Sequence, residues 1–394
     1  RKLVSLNVQG ADKVCHALLR QIQGSNLTQI NRWLARVMLQ IFTDHKLWLL
    51  DQKGLIPVVF YTFCRIAADH SEPKYEKMRK QEAALCCELW RERPLECRTL
   101  GRDAVRILQD VSKIPEFEAL WADLLATPQA FGINELWDLL GAKTPKEVLA
   151  SRLTPEMESQ LLFIMSHVKM GQQQRYQKWF MARWGLNTPE GETIIPDLIR
   201  YICCCYHPPN EVIRSEVVQR WAAVGWLLTS AKNPTNIANV KLAIFYDWLF
   251  FVRRDKENRE GDSVMNVEPA ALLITRSIPK WLDITCDLME FLFAVADEWC
   301  KPYRDLCRRG IYNAACECVK VGVIQGWDRV SACPQISSAL RARVRAQFWG
   351  LCKADPEQPS DEDVALFSFD PNIKPPVPRP FTSLPSPKQR EPMR

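Results

Sequence analysis

The chain has 394 residues, 47% of them hydrophobic, with a formal net charge of +6 and a pI of about 8.6. Its 15 glycines are too few for a turn-rich β architecture or a glycine-loop nucleotide fold, and the mild positive excess does not mark a nucleic-acid binder. The 15 cysteines, odd in number and scattered through apolar runs, argue against a disulfide framework and for a reducing compartment.

The sequence opens at Arg1-Lys2-Leu3, already amphipathic and without methionine, and reads as a fragment of a longer protein with no signal-peptide pattern. From Ala11 to Cys352 one helical pattern follows another, giving an expectation of about 16–20 helices, mostly joined by short breaks between antiparallel neighbours. Pro94, Pro128, Pro189, Pro234, Pro279 and Pro334 punctuate the boundaries. Thr144-Pro145-Lys146-Glu147 has the pattern of a capping box, and Thr154-Pro155-Glu156 repeats the cap-proline-acid order. No fixed-period repeat or strand alternation is present.

Candidate functional residues come in the same order. Arg98, Arg102 and Arg106, spaced i, i+4, i+8, form a stripe on one helix face. Such a stripe meets acidic side chains or phosphates, or is a solvated face with local pairing, here to Asp110 four residues after Arg106. In "QQQRYQKWF" (172–180), Arg175, Tyr176, Lys178, Trp179 and Phe180 combine cations with rings, which suits a single strand; their helical spacing equally suits a packed helix with a basic edge. Cys203, Cys204, Cys205 and His207 are the densest potential metal ligands. Adjacent helical cysteines point about 100° apart, so packing explains them better than one ion does.

The run "FYDWLFF" (245–251) is apolar on two helix faces, one bearing Leu242, Phe245, Tyr246 and Leu249, the other Ile244, Trp248 and Phe251. A helix of this kind must be covered on both sides, and Lys241 and Asp247 leave too short a run for a membrane span. Asp247 is expected at the helix edge, or capping a neighbouring helix through charge-assisted hydrogen bonds. The charged run 252–263 reads as a solvated loop, and Arg341, Arg343 and Arg345 as cations favoured at a helix C-terminus. The ten prolines after Asp355 make 353–394 a disordered linker, although "KPPVPRP" (374–380) also carries a P-x-x-P groove-binding pattern. No nucleophile elbow, phosphate loop or H-E-x-x-H spacing occurs, which lowers the expectation of an enzyme.

The strings "GRDAVRILQDVSKIPEFEALW" (101–121), "SRLTPEMESQLLF" (151–163), "VKMGQQQRYQKWF" (168–180), "DLIRYIC" (197–203), "HPPNEV" (207–212), "RWAAVGWLLT" (220–229), "KLAIFYDWLFF" (241–251) and "SVMNVEPA" (263–270) follow one another in an irregular order that chance does not produce. Together they resemble the N-terminal helical domain of the Integrator complex subunit 3 family, which also belongs to the SOSS complex, over most of 1–350. The resemblance implies further helices before Arg1, a longer loop at 253–262, and a weaker match after about residue 330; the family's second helical domain is absent.

The resulting expectation is an all-α chain of stacked helical hairpins, a HEAT- or armadillo-like α-solenoid over 1–352 followed by the 353–394 tail. The resemblance implies a nuclear, non-catalytic scaffold without cofactors or metal. Its partners would be an OB-fold single-stranded DNA-binding protein, other Integrator subunits and a small SOSS accessory subunit, with single-stranded DNA reached through the partner. Its processes would be DNA damage response and repair, small nuclear RNA processing and transcription attenuation. Arg98, Arg102 and Arg106 are the candidate partner-binding residues. The alternative is an α-solenoid that binds single-stranded nucleic acid directly, through that stripe and the 172–183 segment.

Overall fold

The computed structural model of the chain describes residues 1–253 and 261–352. Among these residues it contains 22 α-helices, five short 3-10 helices and one isolated antiparallel bridge, Lys169 to Val217. The all-α expectation holds. Helices exceed the expected number because seven of them are pieces of four to six residues, such as Pro94–Cys97 and Asn210–Ile213. The described residues form two compact units, one of Arg1–Gln160 with Ala182–Ile194, the other of Leu161–Met181 with the chain from Ile195 onward.

In the first unit the helix Ile56–Asp69 is buried on every side, with each residue from Ile56 to Ala67 inaccessible. Helices Glu76–Glu92 and Arg102–Val111 pack on it. Phe60 meets Trp90 with ring centres 5.0 Å apart, and Phe63 meets Phe42 edge-on at 6.3 Å. Each such side chain contributes about 1.5–3 kcal/mol through its removal from water. One cation lies within this apolar helix. Arg65 pairs with the Asp110 carboxylate and donates to the Thr193 carbonyl at 3.3 Å.

The helix Arg102–Val111 is capped from a distant part of the chain. It starts at Gly101, whose φ of +59° and ψ of −143° are open to glycine alone. A Cβ there would lie 2.6 Å from the Ala142 carbonyl oxygen. The same close approach lets that oxygen accept from the Arg102 amide at 2.9 Å. The Thr144 hydroxyl accepts from the Asp103 amide at 3.1 Å and lies 2.7 Å from the Leu100 carbonyl. Thr144 therefore does not form the expected capping box, and the short helix Lys146–Ala150 begins at Pro145 without a side-chain cap. The hydroxyl satisfies orphan groups at another helix instead. Thr154 behaves as its sequence suggests, accepting from the Met157 amide at 3.2 Å at the start of the helix Pro155–His167.

In the second unit all residues of the helix Ile195–Cys204 are buried, and helices Arg220–Ser230, Pro234–Leu249 and Val264–Ser277 cover it. The "FYDWLFF" stretch ends the Pro234–Leu249 helix; Ala243–Leu249 are buried without interruption, as a helix covered on both sides requires. Leu242 stays half-buried, while Phe250 and Phe251 are buried beyond the helix end. Asp247 is not at the exposed edge of its helix. It is buried within the helix, where its Oδ2 accepts from Arg200 at 2.5 Å and from the Cys204 thiol at 2.9 Å. Arg200 arrives from the adjoining buried helix, so the carboxylate finds its charge-assisted partner in place.

Two further arginine joints organise this unit. Arg220 pairs with Glu268 and donates to the Ile202 and Tyr206 carbonyls at 3.3 and 3.1 Å, satisfying the C-terminal end of the Ile195–Cys204 helix. Asp297 receives both Arg308, at 2.7 Å, and Arg343. The 252–263 run is anchored at its base: the Val252 amide donates to the Asp262 carboxylate at 2.9 Å, and the Asp262 amide to the Val252 carbonyl at 2.7 Å. Gly261 and Asp262 are buried, unlike the solvated residues expected there; residues 254–260 and the tail 353–394 lie outside the described residues.

Asp247→Ala removes a carboxylate that pairs with the buried Arg200 guanidinium and is expected to destabilise by about 3 kcal/mol. Urea unfolding followed by circular dichroism reads the change, and a shift below about 1 kcal/mol contradicts a structural joint. Gly101→Ala combines a forbidden backbone angle with a collision against two carbonyls. It should cost at least about 2 kcal/mol in the same measurement.

Candidate interaction surface

The structure places the three arginines of the stripe on internal contacts. Arg98, half-buried in a 3-10 turn, donates to the Gly132 carbonyl at 2.7 Å. Arg102 is 0% exposed and donates through Nε to the Ala142 carbonyl at 3.3 Å and through Nη2 to that of Gly141 at 3.4 Å. Arg106, 4% exposed, donates to Asp103 at 2.7 Å and to the Tyr61 hydroxyl at 3.0 Å. Asp110, the expected local partner of Arg106, pairs with Arg65 instead. The single helical stripe expected from their spacing is not formed, because Gly101 breaks the backbone between the turn that carries Arg98 and the Arg102–Val111 helix; what the three side chains meet is backbone carbonyl, carboxylate and phenol from this chain.

Of the Cys203, Cys204, Cys205 and His207 cluster, the first two belong to the core and the last two are half-buried. Cys203 and Cys204 are buried, and His207 Nε2 lies 3.2 Å from the Cys203 carbonyl oxygen. Burial raises the Cys203 thiol to about 12, against the opposing pull of Arg220 and Arg200, and raises the Cys204 thiol as well. A thiol held protonated is a poor nucleophile and a poor metal ligand. Among the described residues no group of three or more His, Cys, Asp or Glu could hold a metal ion, and no helix is long and apolar enough to cross a membrane. Of the "RARVR" cations, Arg343 donates to the Phe293 carbonyl at 3.0 Å and Arg345 to that of Ser331 at 3.1 Å, so both brace neighbouring segments.

Two surface features remain open to a partner. In the first unit, helices Gln29–Asp44 and Glu76–Glu92 flank a cleft of about 170 Å³ lined by Arg36, Leu39, Thr43, Lys46, Leu85 and Glu88. Lys46 donates to Glu88 and Glu92 at 2.6 Å each, fixing its ammonium between the two carboxylates. Trp33, one turn before Arg36, is 60% exposed, and Leu47, next to Lys46, is 82% exposed. Trp33 and Leu47 are thus sequence neighbours of residues that line the cleft, and large exposed apolar side chains are what protein interfaces use as anchors. In the second unit, the "QQQRYQKWF" segment forms the helix Gln174–Arg183 with Phe180 and Met181 buried, and Arg175, Lys178 and Trp179 face solvent. Sequence reasoning singles out this helix but misses Phe163 and His167 from the preceding one, whose rings adjoin it. It misses the cleft altogether, since two helices, Lys46–Asp51 and Ile56–Asp69, separate its walls in the sequence.

A family model described as Integrator complex subunit 3 N-terminal matches residues 1–346. The match continues past residue 330, where the sequence strings fade. Integrator complex subunit 3 of Mus musculus is 40% identical over 357 residues, 90% of this chain and 34% of the relative. That of Homo sapiens is 39% identical over 358 residues, also 90% and 34%. The Integrator complex subunit 3 homolog of Dictyostelium discoideum is 40% identical over 355 residues, 88% of this chain and 23% of the relative. The chain thus spans about a third of the length of the mouse and human relatives.

The raised thiols make stability depend on alkali. The unfolded Cys203 thiol ionises near 9 while the folded one stays protonated to about 12, so its contribution is complete below pH 9 and is lost as pH rises from 9 to 12. The loss is up to about 1.4 kcal/mol per pH unit for one thiol. Cys203→Ala should therefore flatten the fall in melting temperature between pH 8.5 and pH 10.5 (about two units of alkali) relative to the parent chain. Identical slopes for the two proteins refute the assignment.

Proposed function

The chain belongs to the Integrator complex subunit 3 family, and from that premise we propose that it is a non-catalytic scaffold of the Integrator and SOSS complexes in the nucleus. It holds an OB-fold single-stranded DNA-binding protein together with a small accessory subunit, and it joins other Integrator subunits. Its processes are the DNA damage response, small nuclear RNA processing and transcription attenuation.

The observation that carries this reading is the set of arginine–carboxylate joints inside each unit: Arg65–Asp110 in the first, and Arg200–Asp247, Arg220–Glu268 and Asp297 with Arg308 and Arg343 in the second. Directional ion pairs of this kind fix how a helix is turned about its axis, and so keep an exposed surface in one shape for a partner. The cleft beside Trp33 and Leu47 is the surface on which we place the protein contact. Arg102 and Arg106 hold the Arg102–Val111 helix in position, and in this reading they act on a partner through that framework.

Titration of the folded chain with its cognate single-stranded DNA-binding protein should give a complex at micromolar concentration or tighter. A folded chain that fails to bind at tens of micromolar contradicts the scaffold reading. Trp33→Ala and Leu47→Glu are expected to weaken that complex at least about fivefold while leaving the melting temperature unchanged. Parental affinity in both variants moves the contact away from the cleft.

A further inference from the structure

The 161–181 segment of the second unit sets rings beside cations and contains no carboxylate of its own. Phe163, on the Pro155–His167 helix, is 44% exposed, and Trp179, on the Gln174–Arg183 helix, is 47% exposed. The His167 imidazole stacks on Phe163 with centres 5.3 Å apart. Tyr176 reaches the same phenyl ring at 5.9 Å, and the Arg175 guanidinium lies 4.6 Å from the centre of Tyr176. Lys169, Arg175 and Lys178 are all exposed. Lys169 faces Glu216 at 3.4 Å, so most of the open charge belongs to Arg175 and Lys178.

A peptide that covers this face has two demands to meet at once. A purely acidic one engages the cations and leaves Phe163 and Trp179 in water. A purely apolar one removes the cations from water without a counter-charge. A peptide that mixes carboxylates with aromatic and aliphatic side chains meets both demands, and this chain contains one. Residues 361–370 read "DEDVALFSFD", with four carboxylates, no cation, and Leu366, Phe367 and Phe369 among them. The wider stretch 354–373 holds six carboxylates and still no cation, so its charge is opposite to that of 161–181 throughout.

We propose that the face of Phe163, Tyr176, Trp179, Arg175 and Lys178 is the docking site of the chain's own segment 361–370. Phe367 and Phe369 lie against the rings, and the carboxylates meet the cations. Cys352 belongs to the same unit as the face, and Asp361 follows it by nine positions. Nine residues extend up to about 30 Å, the diameter of a small domain. A short tether gives an effective concentration of about a millimolar, so contacts of modest intrinsic affinity suffice to keep the face covered. The inference is independent of the scaffold reading, because it uses neither the cleft nor a partner.

The test uses the whole chain and, as probe, a fluorescein-labelled peptide of residues 359–372. In the parental chain the tethered segment competes with the probe. The tail variant Phe367→Ala/Phe369→Ala weakens that competitor and should bind the probe at least about tenfold more tightly in an anisotropy titration. Adding Trp179→Ala to the tail variant should cost about tenfold of that affinity. Zero-length carbodiimide crosslinking of the parental chain should join Lys178 to a carboxylate of 361–370 within one molecule, and the tail variant should lose this crosslink. Unchanged circular-dichroism melts show that the substitutions leave the fold intact. Absence of the Lys178 crosslink from the parental chain overturns the proposal, as does equal probe binding by the parental chain and the tail variant. A scrambled peptide of the same composition bound as tightly means that charge alone attracts it. A Lys178 crosslink that joins two differently isotope-labelled copies puts a second copy on the face. Either result also overturns the proposal.

Discussion

The joint between Arg200 and Asp247 sets the terms for the second unit. Two helices that are apolar on nearly every side could pack in many rotations, because dispersion and water exclusion have little angular preference. A guanidinium and a carboxylate meeting at 2.5 Å permit one. Such a pair adds little net stability compared with well-packed hydrophobes, since desolvation offsets most of the attraction. Its value lies in penalising every arrangement that separates the charges. Arg65 with Asp110 imposes the same condition on the buried helix of the first unit.

Arginine therefore has two uses in this chain, and exposure separates them. Inside, Arg102, Arg106, Arg200 and Arg220 each reach carbonyls, carboxylates or a hydroxyl on other parts of the chain. The planar fork suits this role, as it can serve several acceptors at once. Outside, Arg175 lies on a tyrosine ring at the surface, where its charge is available to solvent ions. Composition counts both kinds alike, which is why a net charge of +6 says little about what the surface presents.

The features legible from sequence are those decided by nearby residues. The all-helical class, the Thr154 cap and the doubly covered 243–249 run all follow from periodicity or from a turn of backbone. Features decided at long range escape it. Thr144 has good local capping chemistry, yet its hydroxyl serves Asp103, 41 positions away. The spacing of Arg98, Arg102 and Arg106 suggests one helix face, but Gly101 breaks the backbone between Arg98 and the Arg102–Val111 helix, and carbonyls of Gly132, Gly141 and Ala142, 34 to 40 positions away, take up Arg98 and Arg102. The need of Asp247 for a charged partner is plain from its apolar surroundings, but Arg200 lies 47 positions earlier, beyond any local pattern. The ring cluster at Phe163 is half visible for the same reason, since its members come from two successive helices.

The reciprocal hydrogen bonds between Val252 and Asp262 have a bearing on how the chain tolerates change. They hold the two ends of the loop next to one another, so the helices Pro234–Leu249 and Val264–Ser277 are tied together through that clasp. Lengthening a closed loop is thermodynamically cheap, about 0.6 kcal/mol for each doubling. The clasp is accordingly a natural grafting point, where an epitope or fluorescent reporter could be inserted while the helices on either side keep their positions.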